Sequence, residues 1–421
     1  MINARRFANA LSGSVDHKLL FGAASAAPSA RTRLPLKALP SDREIDAALA
    51  AAESRLKANP DMFSGDPQGM FTFEDPVLAA ALYCLRKSVA SSRSLYGAAG
   101  PPGSELKEGW YRPEWVKTGL KALFSRMSNT REQLAARTPD APVTHPSKKM
   151  RIAVCGDAGF LGTAQDKVIR MILACHKENP FDYVIHLGDV YFAGDVEEMA
   201  LNFLSPFSRL TKKGMKLFTL VGNHDLYYGG TSFVFAMDML QQPGRYFRID
   251  HPDWRIACLD TSLGAMNIAG DDARLDGKQL EWFDAVLAEQ DDRPLVVMSH
   301  HFALSGWSKP AVSLTSQLTD RVNDKVFAWY WGHEHNCALY PKNGSNTYWG
   351  ACVGNGSFVE KYSNPTRVAT TPTWFPKKMC TCYPGKKAYW PHGFVELEFS
   401  KGSIEETAHL ENKETFSRTL R

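Results

Sequence analysis

No apolar run among the 421 residues approaches the roughly twenty-residue length that a membrane-spanning helix needs, so no membrane association is expected. Charge of one sign is also scarce: 49 Lys and Arg against 45 Asp and Glu leave a formal +4. That suits an anionic small molecule and is too little to argue for a nucleic-acid surface. Cysteine is sparse and scattered, with eight in the whole chain, and Cys155 and Cys258 sit inside apparent strands. A disulfide framework is therefore not expected, and the chain reads as a reduced, cytoplasmic protein. Cys380 and Cys382 are the one close pair, without the second pair a structural zinc site requires. Asp16, His17 and Lys18 interrupt any secretory core, and Arg5-Arg6-Phe7 has no hydrophobic segment behind it. The Ala-, Ser- and Arg-rich start, residues 1–36, reads as a flexible tail; its composition is also that of an organellar transit peptide. Internal repeats and low-complexity tracts are absent.

What is present divides into a helical half and an alternating one. Residues 37–136 hold apolar residues at helical spacing. Ser41 and Glu44 form a capping box, and Trp115, Val116, Leu120, Leu123, Phe124 and Met127 share a face. This region carries no catalytic motif and is expected to be a helical cap or a docking region for a protein partner. Residues 137–148, with Pro139, Pro142 and Pro146, read as a proline-rich linker. From 149 to 421, short apolar runs alternate with helical patterns at Gln165–Lys177, Asp195–Leu204 and Gly277–Gln290, the last burying Leu280, Phe283 and Leu287. That alternation predicts an α/β domain with a largely parallel sheet. Residues 359–392 form a long irregular insertion, the kind of loop that is usually functional or flexible.

Polar motifs recur where the apolar runs stop. Arg151–Cys155 leads to Gly156-Asp157-Ala158-Gly159, and Tyr183–Leu187 leads to Gly188-Asp189-Val190-Tyr191. Lys216–Val221 leads to Gly222-Asn223-His224-Asp225, Leu295–Met298 to Ser299-His300-His301, and Val326–Trp331 to Gly332-His333-Glu334-His335. Ligand chemistry in α/β sheets collects beyond the carboxyl ends of strands. Two aspartates, an asparagine carbonyl and three histidines offer mixed oxygen and nitrogen donors, which suit Mn, Fe or Zn and not Ca. Six donors exceed what one ion with an open position can use, so two ions are implied, the clamp used for phosphoester hydrolysis. His300 and His301 are adjacent, and in an extended chain they point to opposite sides. His186, within a strand, reads as a hydrogen-bonded core histidine, and Asp260 as a turn residue.

This ordered set of five motifs resembles the calcineurin-like metallophosphoesterase superfamily, over roughly Lys149 to Gly356 plus a closing strand at Phe394. The first motif, with Gly159 where many members carry a histidine ligand, looks most like the purple acid phosphatase branch. The resemblance implies a layered αββα-type sandwich. It also implies two divalent or trivalent first-row metal ions, manganese, iron or zinc, with Asp189 bridging. Asp157 and His335 would bind the first ion, and Asn223, His300 and His333 the second. His224 would face substrate and protonate the leaving group, with Asp225 orienting its imidazole, while a metal-bound hydroxide attacks phosphorus in line. His301 and Tyr191 would stand behind the ligands or face substrate. Purple enzymes place a tyrosine three residues after the second aspartate. That position is Phe192, with Tyr191 one residue early, and Gly159 leaves the first ion short of a ligand.

The implied function is a phosphoester hydrolase, phosphatase or phosphodiesterase, acting on small substrates. Nuclease activity is disfavoured because that branch uses the histidine that Gly159 replaces. The alternative from another class is a catalytically silent member of the fold acting as a binding or scaffold protein.

Overall fold

The computed structural model describes residues 131–421 apart from 161, 192–193, 195–197, 227–229, 264–272, 290, 303, 344–346, 367–370 and 381–387. The tail expected at 1–36, the helical region expected at 37–136 up to residue 130, Phe192, Asp195 and Cys382 lie outside the described residues.

The apolar runs become strands because they are buried on both faces. β2 (Met150–Cys155), β3 (Tyr183–His186), β6 (Trp254–Cys258) and β7 (Leu295–Ser299) are buried at every residue. β2, β3 and β4 (Lys216–Thr219) pair in parallel. β11 (Gly393–Ser400) lies antiparallel against β2 and continues into β12 (Ser403–Leu410) and β13 (Thr415–Leu420). The six-stranded order is β13-β12-β11-β2-β3-β4. The second sheet adds β1 (Val143–Thr144), β5 (Phe247–His251), β8 (Val326–Trp331), β9 (Cys337–Tyr340) and β10 (Trp349–Val353) to β6 and β7. Its order is β1-β5-β6-β7-β8-β10-β9. The six-stranded sheet is parallel across β2, β3 and β4 and antiparallel beyond β2, and the seven-stranded sheet is parallel from β6 to β10 with antiparallel pairings on either side, so the largely parallel sheet is replaced by two mixed ones. β1 comes from the proline-rich segment, which lies along β5 rather than standing off as a spacer.

Between the sheets sits a core that includes Ile152, Ile185, Phe218, Ile256, Met298, Tyr330 and Leu397. Outside the first sheet, α2 (Thr163–Glu178) contributes Val168, Ile169 and Ile172, beside Phe203 and Phe207. Outside the second, α5 (Gly277–Ala288) and α6 (Val312–Val322) contribute Phe283, Val286, Leu314 and Leu318. Helices cover both faces of a two-sheet sandwich, the expected αββα layering. On α5 the buried stripe is Phe283 and Val286, with Leu280 and Leu287 at its margins. Of the helix expected at 195–204, Met199–Leu204 is a π-helical turn, which runs into α3 (Ser205–Thr211). Pro206 has no N–H for the Asn202 carbonyl, and that carbonyl takes the Gln165 side-chain amide instead. α4 (Thr231–Leu240) and a short α1 (Arg131–Ala135) complete the helices among the described residues.

Cys155, Cys175, Cys258, Cys337 and Cys352 are free, and burial pushes the Cys155 thiol up to about 12. Cys380 is disulfide-bonded. This departs from the expected reduced protein, a reading that rested on the scatter of the cysteines and on Cys155 and Cys258 lying within strands. No helix among the described residues is long and apolar enough to cross a membrane.

One ion pair fastens β11 to β12 behind α2. His409 Nε2 lies 3.0 Å from Glu396, which also takes Arg151. Burial alone would lower the His409 pKa, but the contacts with Cys175 and Glu396 outweigh it and lift it from 6.5 to about 9. The folded state therefore holds a proton that the unfolded chain gives up near pH 6.5. The stabilisation is complete below about pH 6.5 and fades as pH rises through about 9. His409→Gln is expected to lower the unfolding temperature at pH 6 and to cost distinctly less at pH 10, as circular dichroism melts would show.

Candidate metal centre

All five strand ends open on the same edge of the sandwich, and backbone strain concentrates there. Six non-glycine residues among the described ones have positive φ, and three are Asp157 (55°), Asp189 (73°) and His333 (65°). Such angles are uncommon for these residues and persist where surrounding contacts impose them. Asp157 cannot be the N-cap of α2, a place held by Gly162.

Hydrogen bonds anchor each loop to the next. The His333 amide donates to Asp157 Oδ2 at 2.8 Å, and the His224 amide to Asp189 Oδ1 at 3.0 Å. Gly222 permits this close approach, since a Cβ there would fall 2.1 Å from Asp189 Oδ1. His300 Nε2 is 3.0 Å from Asn223 Oδ1, 3.2 Å from His333 Nδ1 and 3.5 Å from Asp189 Oδ1. His333 Nδ1 is 3.1 Å from the same Asn223 oxygen. His335 Nε2 is 3.4 Å from Asp157 Oδ1. The six sequence-predicted donors thus converge, divided between an Asp157–His335 side and an Asn223–His300–His333 side, with Asp189 reaching both.

Tyr191 stands on the first side. Its hydroxyl donates to Asp157 Oδ1 at 2.8 Å and Asp189 Oδ2 at 3.1 Å, and lies 3.0 Å from His335 Nε2. The cause is Gly159: its loop bridges in parallel to Val190, and a Cβ at 159 would meet the Asp189 carbonyl at 2.5 Å. A histidine at 159 would break this bridge. The bridge aims Tyr191, one residue early by family spacing, at the centre.

Two expectations are corrected. Asp225 does not address the His224 ring; its oxygens accept from the amides of Gly222 (2.7 Å), Asp189 (3.0 Å) and Val190 (2.9 Å). It is a buried clasp between two metal-side loops. Burial and the Asp189 charge push its carboxyl well above the usual range, against the pull of those amides. His301 does not point away from His300. β7 ends at Ser299, so strand alternation no longer applies, and the His301 ring lies 4.8 Å from His300 and 4.6 Å from His333. Its Nδ1 meets Thr261 Oγ1 at 2.8 Å.

His224 sits in a 3-10 turn, buried, with its ring 4.6 Å from that of Tyr191. His186 is a core residue, bonded to Thr219 and the Ala158 amide. Asp260 pairs with buried Arg245 and caps the Ser262 turn. Sequence reasoning missed Glu360, 3.6 Å from His335 Nδ1; only its place in the long insertion hinted at it.

The residues present fit cations. Asp157 and Asp189 are 0% and 1% exposed, yet no lysine or arginine pairs with either among the described residues. Buried charge of one sign requires compensation. His300 is held neutral, its pKa well below the ordinary value, through burial and the neighbouring His301 and His333, which is the ligating form. Asp157, Asp189 and His300 bring oxygen and nitrogen donors within 4.8 Å of one another.

The described residues thus form an αββα sandwich with an oxygen and nitrogen donor cluster at its strand ends. Residues 150–337 match the calcineurin-like phosphoesterase (Metallophos) family, which supports a domain of that kind over this span. No curated protein sequence matches the chain. Among solved structures, GAP50, the anchor in the inner membrane complex of Plasmodium, is similar at 16% identity and TM-score 0.50, over 65% of this chain and 89% of that one. A dimetal phosphatase from Danio rerio is 12% identical with TM-score 0.44, over 65% of this chain and 99% of that one. PhoD is 12% identical with TM-score 0.43, over 67% and 70%. At these identities the likeness concerns the fold alone.

Proposed function

We propose that this chain is a metal-dependent hydrolase of small phosphoesters, phosphatase or phosphodiesterase. The observation that carries the reading is the convergence of two buried carboxylates, neither paired with a lysine or arginine among the described residues, with Asn223, His300, His333 and His335 on one edge of the fold. Asp157, His335 and the Tyr191 phenol would hold one first-row ion, Mn, Fe or Zn. Asn223, His300 and His333 would hold a second, with Asp189 between. Gly159 and Tyr191 favour a first site of the purple acid phosphatase kind. When bound, such ions polarise a phosphoryl oxygen and bring the pKa of water towards neutrality. Glu360 and the Leu187 carbonyl, which faces His300 Nδ1 at 2.9 Å, fix the ligating rings in orientation. His224, its amide tied to Asp189, protonates the leaving group.

Metal analysis of the purified protein, combined with a panel of mono- and diesters, tests the reading. Bound first-row metal with turnover supports it. Absence of both supports the alternative, a silent scaffold of the same fold, a use to which the GAP50 anchor lends a precedent. His224→Ala is expected to keep its metal while kcat/KM falls by about 10²–10⁴, the span of general acid catalysis, more steeply for alkyl than for aryl esters. Metal loss in that variant would overturn the assignment of His224.

A further inference from the structure

A cavity of about 340 Å³ opens directly beside His333 and His335, and nothing in the hydrolase reading uses it. Its walls come from three places: the segment after β7, with Phe302 and Trp307, the turn after β8, with His333 to Asn336, and the irregular insertion, with Glu360, Lys361 and Trp390. Bonds between these segments hold the walls together. Trp307 Nε1 donates to the Ser363 carbonyl at 3.1 Å, and the Trp307 and Trp390 rings meet edge-on at 5.5 Å. The Phe302 ring lies 5.9 Å from that of His333, which carries the aromatic lining to the edge of the metal centre.

The lining carboxylates are engaged by the protein, Glu360 with His335 and Glu334 with the Ser305 hydroxyl at 2.6 Å. Lys309 and Lys361 are exposed residues of the cavity lining. A volume near the bottom of the roughly 300–1,000 Å³ range of ligand pockets suits one ring-sized group. Aromatic walls favour a flat ring, and the exposed lysines favour a second negative charge.

We propose that this cavity is the leaving-group subsite, and that it selects monomeric phosphoesters whose alcohol half carries a planar ring and an anionic group. The inference rests on the hydrolase reading and adds a substrate class to it.

The test compares kcat/KM for n-butyl, benzyl and 4-carboxybenzyl phosphates, all esters of primary alcohols, so that ring and charge vary more than leaving-group chemistry. The expected order rises from butyl to benzyl to carboxybenzyl. Trp307→Leu is expected to shrink the benzyl-to-butyl ratio by about 3- to 10-fold. Lys309→Gln is expected to shrink the carboxybenzyl-to-benzyl ratio by roughly 2- to 5-fold. Melting curves check that both variants fold, and Trp307→Phe is expected to retain the ring preference. Calorimetry with the three corresponding phosphonates is expected to give the same order of Kd. Equal kcat/KM and equal Kd across the series overturn the subsite and leave the hydrolase reading standing. If metal-loaded protein hydrolyses none of the esters, the hydrolase reading falls, and the phosphonate affinities still decide whether the cavity prefers an anionic ring.

Discussion

Asp189→Asn is expected to lower kcat/KM for an aryl phosphate by at least about a thousandfold, with loss of bound metal and no loss of fold. Asp189 reaches both sides of the centre. Its Oδ1 lies near His300 Nε2 at 3.5 Å, and its Oδ2 takes the Tyr191 hydroxyl at 3.1 Å. An amide keeps one acceptor for the His224 amide but brings no charge and cannot bridge two cations. Lewis-acid stabilisation is worth several kcal/mol, and each 1.36 kcal/mol is about tenfold in rate, which sets the size of the loss. The stability effect should run the other way. In metal-free protein, Asp157 and Asp189 are two buried acids bonded to one phenol, so neutralising one relieves repulsion. The metal-free variant should melt no lower than the metal-free parent, whereas metal addition should raise the melting temperature of the parent alone. A variant that retained both metal and turnover would remove Asp189 from the centre.

The donors were legible because each stands immediately after an apolar run, and the end of such a run is a local property. Asp157, Asp189, Asn223, His300 and His333 all follow from that rule, and the core clusters show why the runs are apolar: they face sheet on one side and helices on the other. Side-chain direction past a strand end was not legible. It depends on how one loop meets another, as in the Gly159–Val190 bridge that aims Tyr191, or the bend after Ser299 that turns His301 towards His333. Helix α4 escaped notice because its ten residues are apolar on most sides and lack a clear period. The C-terminal hairpin β12–β13 did alternate, and its signal was missed. Glu360 depends on the path of an insertion with no regular structure to predict.

Asp225 separates local from tertiary inference most sharply, and its replacement is expected to have the largest effect on stability. Adjacency to His224 suggests a carboxylate orienting an imidazole. The fold instead gives its oxygens three backbone amides, from Gly222, Asp189 and Val190, in a position 0% exposed. Asp225→Ala would strand all three donors in the interior. At about 1–3 kcal/mol for each unsatisfied buried group, the cost is about 3–9 kcal/mol, comparable to the whole stability of many domains. The alanine variant is expected to be unfolded or insoluble. Asp225→Asn distinguishes the two roles more finely. It keeps one acceptor oxygen and turns an amino group towards the amides served by the other. Its melting temperature should therefore fall by several degrees, at roughly 2–4 °C per kcal/mol. Metal affinity should fall with it, because the Asp189 loop and the Gly222 loop lose their common clasp. An orienting role would give the opposite pattern, with melting temperature and metal content intact and turnover alone reduced. Differential scanning calorimetry and metal analysis on that single variant decide between a residue that holds the loops and one that holds the imidazole.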